Sequence, residues 1–97
     1  MPKGYWDTIY RNISDPKKLA AYAALAPKAT APFGGTYLAR GTAANAYEAG
    51  LKDRIVISEF PSVERARACY ESPGYQNALN ALGDGAERDV RIVAGLD

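Results

Sequence analysis

The stretch that decides the fold covers residues 53–76 and has the sequence DRIVISEFPSVERARACYESPGYQ. It begins with an apolar, β-branched run that is typical of a buried strand, and Pro61 ends that run. Ser62 and then Ser72-Pro73 are typical helix starts, because a serine hydroxyl caps free backbone N–H groups and proline suits the first helical position. The stretch therefore predicts one strand followed by two short helices.

Similar signals precede this stretch. Gly4–Ile13 is rich in aromatic and β-branched residues and predicts the first strand. Asp15 as N-cap and Pro16 at the first helical position predict a helix, which Pro27 is expected to break or kink. One further helical turn is expected before Gly34-Gly35, where glycine suits a helix end.

The remaining segments complete the pattern. Thr36–Arg40 predicts a second strand, Asp53–Phe60 a third and Asp89–Ala94 the last, with a short extended piece at Tyr47-Glu48 in the intervening loop. The order is strand, helix, strand, strand, helix, strand. This order predicts an α+β, ferredoxin-like βαββαβ fold with a four-stranded antiparallel sheet and helices on one face.

The third strand is apolar on both sides. Ile55 and Ile57 share one side, while Val56 and Phe60 share the other. Two helices cover only one face, so a monomer would expose a large apolar patch. The pattern predicts a homodimer in which two sheets pack face to face, forming a dimeric α/β barrel. The alternative is that residues 42–52 fold over the open face.

Bulk composition narrows the class of protein. A chain of 97 residues is expected to form a single domain over residues 1–97. Apolar residues make up 47% and charged residues 24%, which excludes whole-chain disorder. A net charge of +1 predicts no nucleic-acid or membrane partner. The chain has one cysteine and no apolar signal-peptide stretch near Met1, so the sequence predicts a cytoplasmic protein.

The chain contains no histidine. The usual general base and the commonest metal ligand are therefore missing. Isolated carboxylates and a single cysteine, Cys69, do not make a transition-metal site. We expect no metal and no bound cofactor. Cys69 itself is interpreted as a packing residue, because no histidine is present to activate it.

The chain resembles the DUF1330 proteins of the dimeric α/β-barrel superfamily. The matching pieces are KGYW (3–6), DP (15–16), GG (34–35) leading to LARG (38–41), VISEFPS (56–62), ARACY (66–70), SPGYQ (72–76) and IVAG (92–95). The resemblance implies a ferredoxin-like protomer and a barrel-forming dimer, but no particular activity. The chain departs from the family pattern at Asp7, where an apolar residue is usual, and at Asn80-Ala81-Leu82, where an arginine is frequent.

Six residues are candidates for a functional site. Arg40 and Glu59 end neighbouring strands and are the candidate catalytic pair, Arg40 as a carboxylate clamp and Glu59 as a general acid or base. The alternative is that the two pair with each other or lie in water. The candidate ligand-binding residues are aromatic, and core packing is the alternative for each of them: Tyr70, Tyr75, Tyr22 and Trp6.

Two hypotheses for function follow. In the first, the homodimeric barrel has a small-molecule cleft and is a cofactor-free enzyme acting on a small organic acid or aromatic compound. In the second, the protein is a non-catalytic module for ligand binding or self-assembly. Its partners are then a second copy of the chain and a small-molecule ligand.

Overall fold

The computed structural model describes residues 2–96, and its elements follow the predicted order. They are β1 (Gly4–Ile13), α1 (Pro16–Thr30), a 3-10 turn (Ala31–Phe33), β2 (Thr36–Thr42), β3 (Arg54–Phe60), α2 (Val63–Tyr70), α3 (Pro73–Leu82) and β4 (Ala86–Ala94). The sheet has the order β2-β3-β1-β4, and every neighbouring pair is antiparallel. The predicted α+β, ferredoxin-like fold is confirmed.

Each helix begins at a predicted capping residue. Asp15, Ser62 and Ser72 are the N-caps of α1, α2 and α3, and each side chain accepts a hydrogen bond from backbone N–H groups of the first turn. These bonds satisfy donors that a helix leaves free at its start. The capping residues therefore determine where all three helices begin.

Three local predictions were wrong. The break considered at Pro27 does not occur, since the first helix continues to Thr30. A proline in the last turn removes one helical hydrogen bond, and the buried residues Ala26, Ala29 and Thr30 hold that turn against the core.

The other two differences concern the loop and the last strand. The expected extended piece at Tyr47-Glu48 is part of a turn, in which the Gly50 N–H donates to the Tyr47 carbonyl at 2.8 Å. β4 begins at Ala86, three residues before the predicted start, because residues from Ala86 onward pair with β1.

One face of the sheet carries the core. Trp6 stacks on Phe60 with ring centroids 5.7 Å apart and meets Tyr75 edge-on at 4.8 Å. Ala66 and Cys69 of α2 are fully buried in the same cluster. Burial of large aromatic rings supplies most of the apolar contact in so small a domain.

The opposite face, here called the open face, is defined by cross-strand neighbours of β1 and β3. Tyr5 pairs with Glu59, Asp7 with Ile57 and Ile9 with Ile55, and all six are half-buried. The face therefore carries three incompletely covered isoleucines with the carboxylate of Asp7 among them.

Residues 42–52 do not pack their large apolar side chains over the open face. Tyr47 is 77% exposed and Leu51 is 43% exposed. Among residues 2–96, no helix combines the length and the apolar character needed to cross a bilayer.

Candidate functional site

A cleft lies between α1 and the helix-covered face of the sheet. The volume open to the centres of water molecules is about 30 Å³, and the empty space reaches about 450 Å³ when open solvent at the mouth is counted. Strand β1 contributes Trp6, Thr8 and Tyr10, since alternate residues of a strand share a face. The remaining lining residues are Leu19, Tyr22, Ala23, Ala26, Thr30, Tyr37, Arg40, Arg54, Val56 and Ser58.

The charged groups in this lining are all positive. Arg40 and Arg54 line the cleft, whereas no aspartate or glutamate does. Neither arginine forms an ion pair within residues 2–96. The Arg40 guanidinium lies 4.7 Å from the ring centroid of Tyr37, which fixes it by a cation–π contact. Two guanidinium groups without an ion-pair partner in residues 2–96, one of them beside the Tyr37 ring, favour an anionic ligand.

Trp6 and Ser58 of the cleft lining carry buried polar side-chain groups. Trp6 is 3% exposed, and its indole Nε1 has no hydrogen-bond partner within residues 2–96. The Ser58 hydroxyl has a hydrogen-bond partner, because it donates to the Trp6 carbonyl at 2.9 Å. A buried donor without a partner is costly, so the Trp6 N–H is a ready hydrogen-bond donor.

A second polar cluster lies behind the cleft. The hydroxyls of Tyr22 and Tyr75 are 2.6 Å apart. Arg88 of β4 donates to Tyr22 at 3.1 Å and to Tyr75 at 3.3 Å. The same guanidinium lies 4.9 Å from the ring centroid of Tyr22 and 5.7 Å from that of Tyr10.

Both phenols of this cluster stay protonated at neutral pH. Burial raises the pKa of Tyr22, and the positive charge of Arg88 opposes that shift. Burial, with the neighbouring Tyr22, raises the pKa of Tyr75 well above its usual value. The cluster therefore consists of one permanent cation and two neutral hydroxyl groups.

The structure brings some of the predicted site residues together. Trp6, Tyr22 and Arg40 all line the cleft. Tyr75 is connected to it through its hydrogen bond with Tyr22. Tyr70 packs in the aromatic cluster, with its ring 5.5 Å from Trp6 and 5.2 Å from Tyr75.

Glu59 lies elsewhere. It is on the open face, where its carboxylate accepts hydrogen bonds from Lys3 Nζ at 3.1 Å and from the Tyr5 hydroxyl at 3.2 Å. Arg40 lines the cleft on the other side of the sheet. The two candidate catalytic residues therefore do not meet within one protomer, and neither is the ion-pair partner of the other.

Sequence reasoning missed two arginines. Arg54 lines the cleft and Arg88 organises the two phenols. Arg88, Val90 and Ile92 are spaced by two residues and therefore share one face of β4. This pattern becomes visible once β4 is extended to Ala86. Arg54 carried a similar signal, because it stands two residues before Val56 in the predicted strand and therefore shares its face. Within residues 2–96, no group of three cysteine, aspartate or glutamate side chains comes together as metal ligands.

The comparisons with known proteins agree with this architecture. The pattern of DUF1330, a domain of unknown function, matches residues 3–96, so the chain belongs to the DUF1330 family. The resemblance seen in the sequence is confirmed. No curated protein matches the chain.

Several solved structures share the fold at low sequence identity. A protein of unknown function from Rhodopseudomonas palustris is 16% identical with a TM-score of 0.76, covering 99% of this chain and 84% of that one. A dimeric ferredoxin-like protein of unknown function from Thermobifida fusca is 19% identical with a TM-score of 0.67, covering 96% and 91%. The cofactor-independent oxygenase SnoaB from Streptomyces nogalater is 11% identical with a TM-score of 0.65, covering 100% and 96%. These likenesses establish the fold.

Proposed function

We propose that the protein is a homodimeric small-molecule-binding protein whose cleft takes a small aromatic or other organic acid. The observation that carries the proposal is the cleft lining, which combines aromatic side chains with Arg40 and Arg54 and includes no carboxylate. A guanidinium fork matches the two oxygens of a carboxylate. The rings of Trp6, Tyr10 and Tyr22 supply apolar faces for the body of the ligand.

The dimer part of the proposal rests on the open face. Ile9, Ile55 and Ile57 of this face are half-buried, and the Asp7 Oδ1 beside Ile57 is buried without a hydrogen-bond partner in residues 2–96. A second sheet packed on this face would bury Ile55 and Ile57. The Thermobifida fusca protein of the same fold is described as dimeric, which supports this arrangement.

Catalysis is the second candidate, and the cofactor-independent oxygenase of the same fold favours it. In this candidate function, Arg40 binds the carboxylate of the substrate, and the activated substrate reacts without a bound cofactor. Glu59 would then act from the space between the two sheets of the dimer, because its side chain lies on the open face. The binding role of Arg40 is common to both candidates.

Calorimetric titration with benzoate and with benzamide tests the proposal. The two probes have the same shape but only benzoate carries a charge, so we expect benzoate to bind at least about 10-fold more tightly. Arg40→Ala should weaken benzoate binding by about 10-fold and leave benzamide unchanged. Lys28→Ala, an exposed residue of α1 outside the cleft lining, is the matched control.

Other results would contradict the proposal. Equal affinity for the two probes, or no binding of either, would show that the cleft is not an acid-binding site. Glu59→Gln should leave benzoate affinity unchanged. Loss of benzoate binding in Glu59→Gln, with the dimer intact, would move the site to the open face.

A further inference from the structure

The cluster of Tyr22, Tyr75 and Arg88 has two phenolic hydrogens, but only one of them takes part in a hydrogen bond within the cluster. The two hydroxyls share a single hydrogen bond, in which one phenol donates to the other. Both oxygens also accept from Arg88. Within residues 2–96, neither hydroxyl donates to any further acceptor, so one O–H remains available.

Burial decides which hydroxyl keeps the available hydrogen. Tyr75 is 1% exposed and its one acceptor among the described residues is the Tyr22 oxygen. An unused buried donor would be costly, so Tyr75 donates to Tyr22. Tyr22 is the member of the pair whose side chain lines the cleft. Its hydroxyl therefore has the free hydrogen.

Arg88 makes this hydroxyl a strong donor. Its guanidinium has no carboxylate partner in residues 2–96, and its positive charge lies directly behind the Tyr22 oxygen. A hydroxyl that accepts a hydrogen bond from a cation is polarised, so it donates more strongly to an oxygen on its other side.

The sheet order places Arg88, which contacts this donor, on the opposite edge strand from Arg40. β2, which carries Arg40, and β4, which carries Arg88, are the two edge strands of the sheet. Three strand spacings separate their backbones by roughly 14 Å. A ligand that contacts both the Arg40 guanidinium and the Tyr22 hydroxyl would use two separate oxygen-bearing groups.

We infer that the Tyr22 hydroxyl, positioned by Tyr75 and Arg88, recognises a second oxygen of the ligand, so that the ligand class is an acid with a hydroxyl or oxo group remote from its carboxylate. The inference rests on the proposed function, because it places the carboxylate at Arg40. The inference adds the chemical group that the ligand carries at the end remote from its carboxylate. Arg88 is a positioning residue here, since it acts through Tyr22.

The test compares 4-hydroxybenzoate with benzoate by calorimetry. The wild-type protein should bind 4-hydroxybenzoate about 10-fold more tightly, because Tyr22 donates to the added oxygen. Tyr22→Phe should abolish this preference while changing benzoate affinity by no more than about 3-fold. Tyr47→Phe is the matched control, since it removes an exposed phenolic hydroxyl outside the cleft lining, and it should retain the preference.

Arg88→Lys distinguishes positioning from a purely structural role. Positioning through Tyr22 predicts a reduced preference for 4-hydroxybenzoate with nearly unchanged benzoate affinity. Equal weakening of both ligands would show that Arg88 only supports the fold. A wild-type protein without the preference, or a Tyr22→Phe variant that keeps it, would overturn the inference.

The two proposals fail in different ways. If 4-hydroxybenzoate binds through Tyr22 but Arg40→Ala changes nothing, the acid-binding role of Arg40 fails and the Tyr22 donor stands. If benzoate binds through Arg40 but the hydroxyl adds no affinity, the proposed function stands and the inference fails. If neither ligand binds, both are wrong.

Discussion

The Cys69 thiol is fully buried between α2 and α1. Its Sγ donates to the Ala29 carbonyl at 3.6 Å, and the residue has no exposed surface. Burial raises the pKa of the thiol from 9.0 to about 11. The thiolate is the nucleophilic form, so Cys69 is unreactive at neutral pH and serves packing.

This pKa shift makes a prediction about stability. Between pH 9.0 and about 11 the unfolded chain loses the thiol proton while the folded protein keeps it, so the free energy of unfolding falls as pH rises. The Cys69 contribution is fully present below pH 9.0 and lost by about 11, which amounts to about 2 to 3 kcal/mol.

Urea unfolding of the wild-type protein and of Cys69→Ala across this pH range measures the contribution. The wild type should lose more stability than the variant, because the two differ in this one titrating group. Parallel pH profiles for the two proteins would show that the thiol titrates normally.

The candidate site shows which single residues could be predicted from sequence. Core packing was the alternative for Tyr75 and Trp6 and the interpretation for Cys69, and all three residues are buried. The placement of Arg40 did not follow from the sequence, because the pairing of β2 with β3 shifts register between Tyr37 and Ala39. After a bulge of this kind, later residues of the strand lie on the opposite face of the sheet from the one that alternation predicts. No residue type in this segment predicts the bulge.

The shift has a direct consequence for the site. It pairs Tyr37 with Ser58 and Arg40 with Val56, and all four side chains line the cleft. An unbroken strand would have placed Tyr37 and Arg40 on opposite faces. Glu59 is one residue from Ser58 in an unbulged strand and therefore lies on the other face.

The contact between β1 and the start of α2 depends on a glycine. A Cβ at Gly4 would lie 2.6 Å from the Ser62 carbonyl oxygen, which is backbone and cannot move aside. Gly41 on β2 is the matched control, because a Cβ there would meet nothing within 4 Å.

Gly4→Ala should therefore destabilise the protein by about 1 to 3 kcal/mol, since overpacking forces backbone shifts. Gly41→Ala should be neutral or stabilising by up to about 1 kcal/mol, because alanine reduces the entropy of the unfolded chain. Chemical denaturation of both variants checks this. A Gly4→Ala variant as stable as Gly41→Ala would contradict the close approach of β1 to α2.

The arrangement of elements was largely predictable, since capping residues, strand periodicity and turn glycines each act locally. The error at Pro27 has a tertiary cause. Buried Ala26, Ala29 and Thr30 compensate for the hydrogen bond that proline removes. Contacts with distant residues of this kind do not show in a local pattern.

The whole molecule has one covered and one open sheet face, and this asymmetry predicts self-association. The sequence indicated that one face would be open but not which one. The structure places Val56 and Phe60 under the helices and Ile55 and Ile57 on the open face. Ile57, opposite Asp7 on β1, is the position at which a charge should disrupt a sheet-to-sheet dimer.

Ile57→Glu should shift the protein from dimer to monomer, because a dimer would bury two new carboxylates, each directly opposite the carboxylate of Asp7. Sedimentation velocity measures the change. Ala20→Lys, on the exposed side of α1, should remain dimeric. Dimers in both variants, or a monomeric wild type, would show that the open face is not the interface.

The central claim is that an organic acid binds in the cleft and not on the open face. The single tryptophan gives one indole N–H signal in a ¹H–¹⁵N NMR spectrum, and Trp6 lines the cleft with its Nε1 free of partners in residues 2–96. Titration with benzoate should shift this signal together with the backbone amides of Tyr22 and Arg40. A stationary indole signal, with shifts confined to the amides of Asp7 and Ile57, would contradict the account.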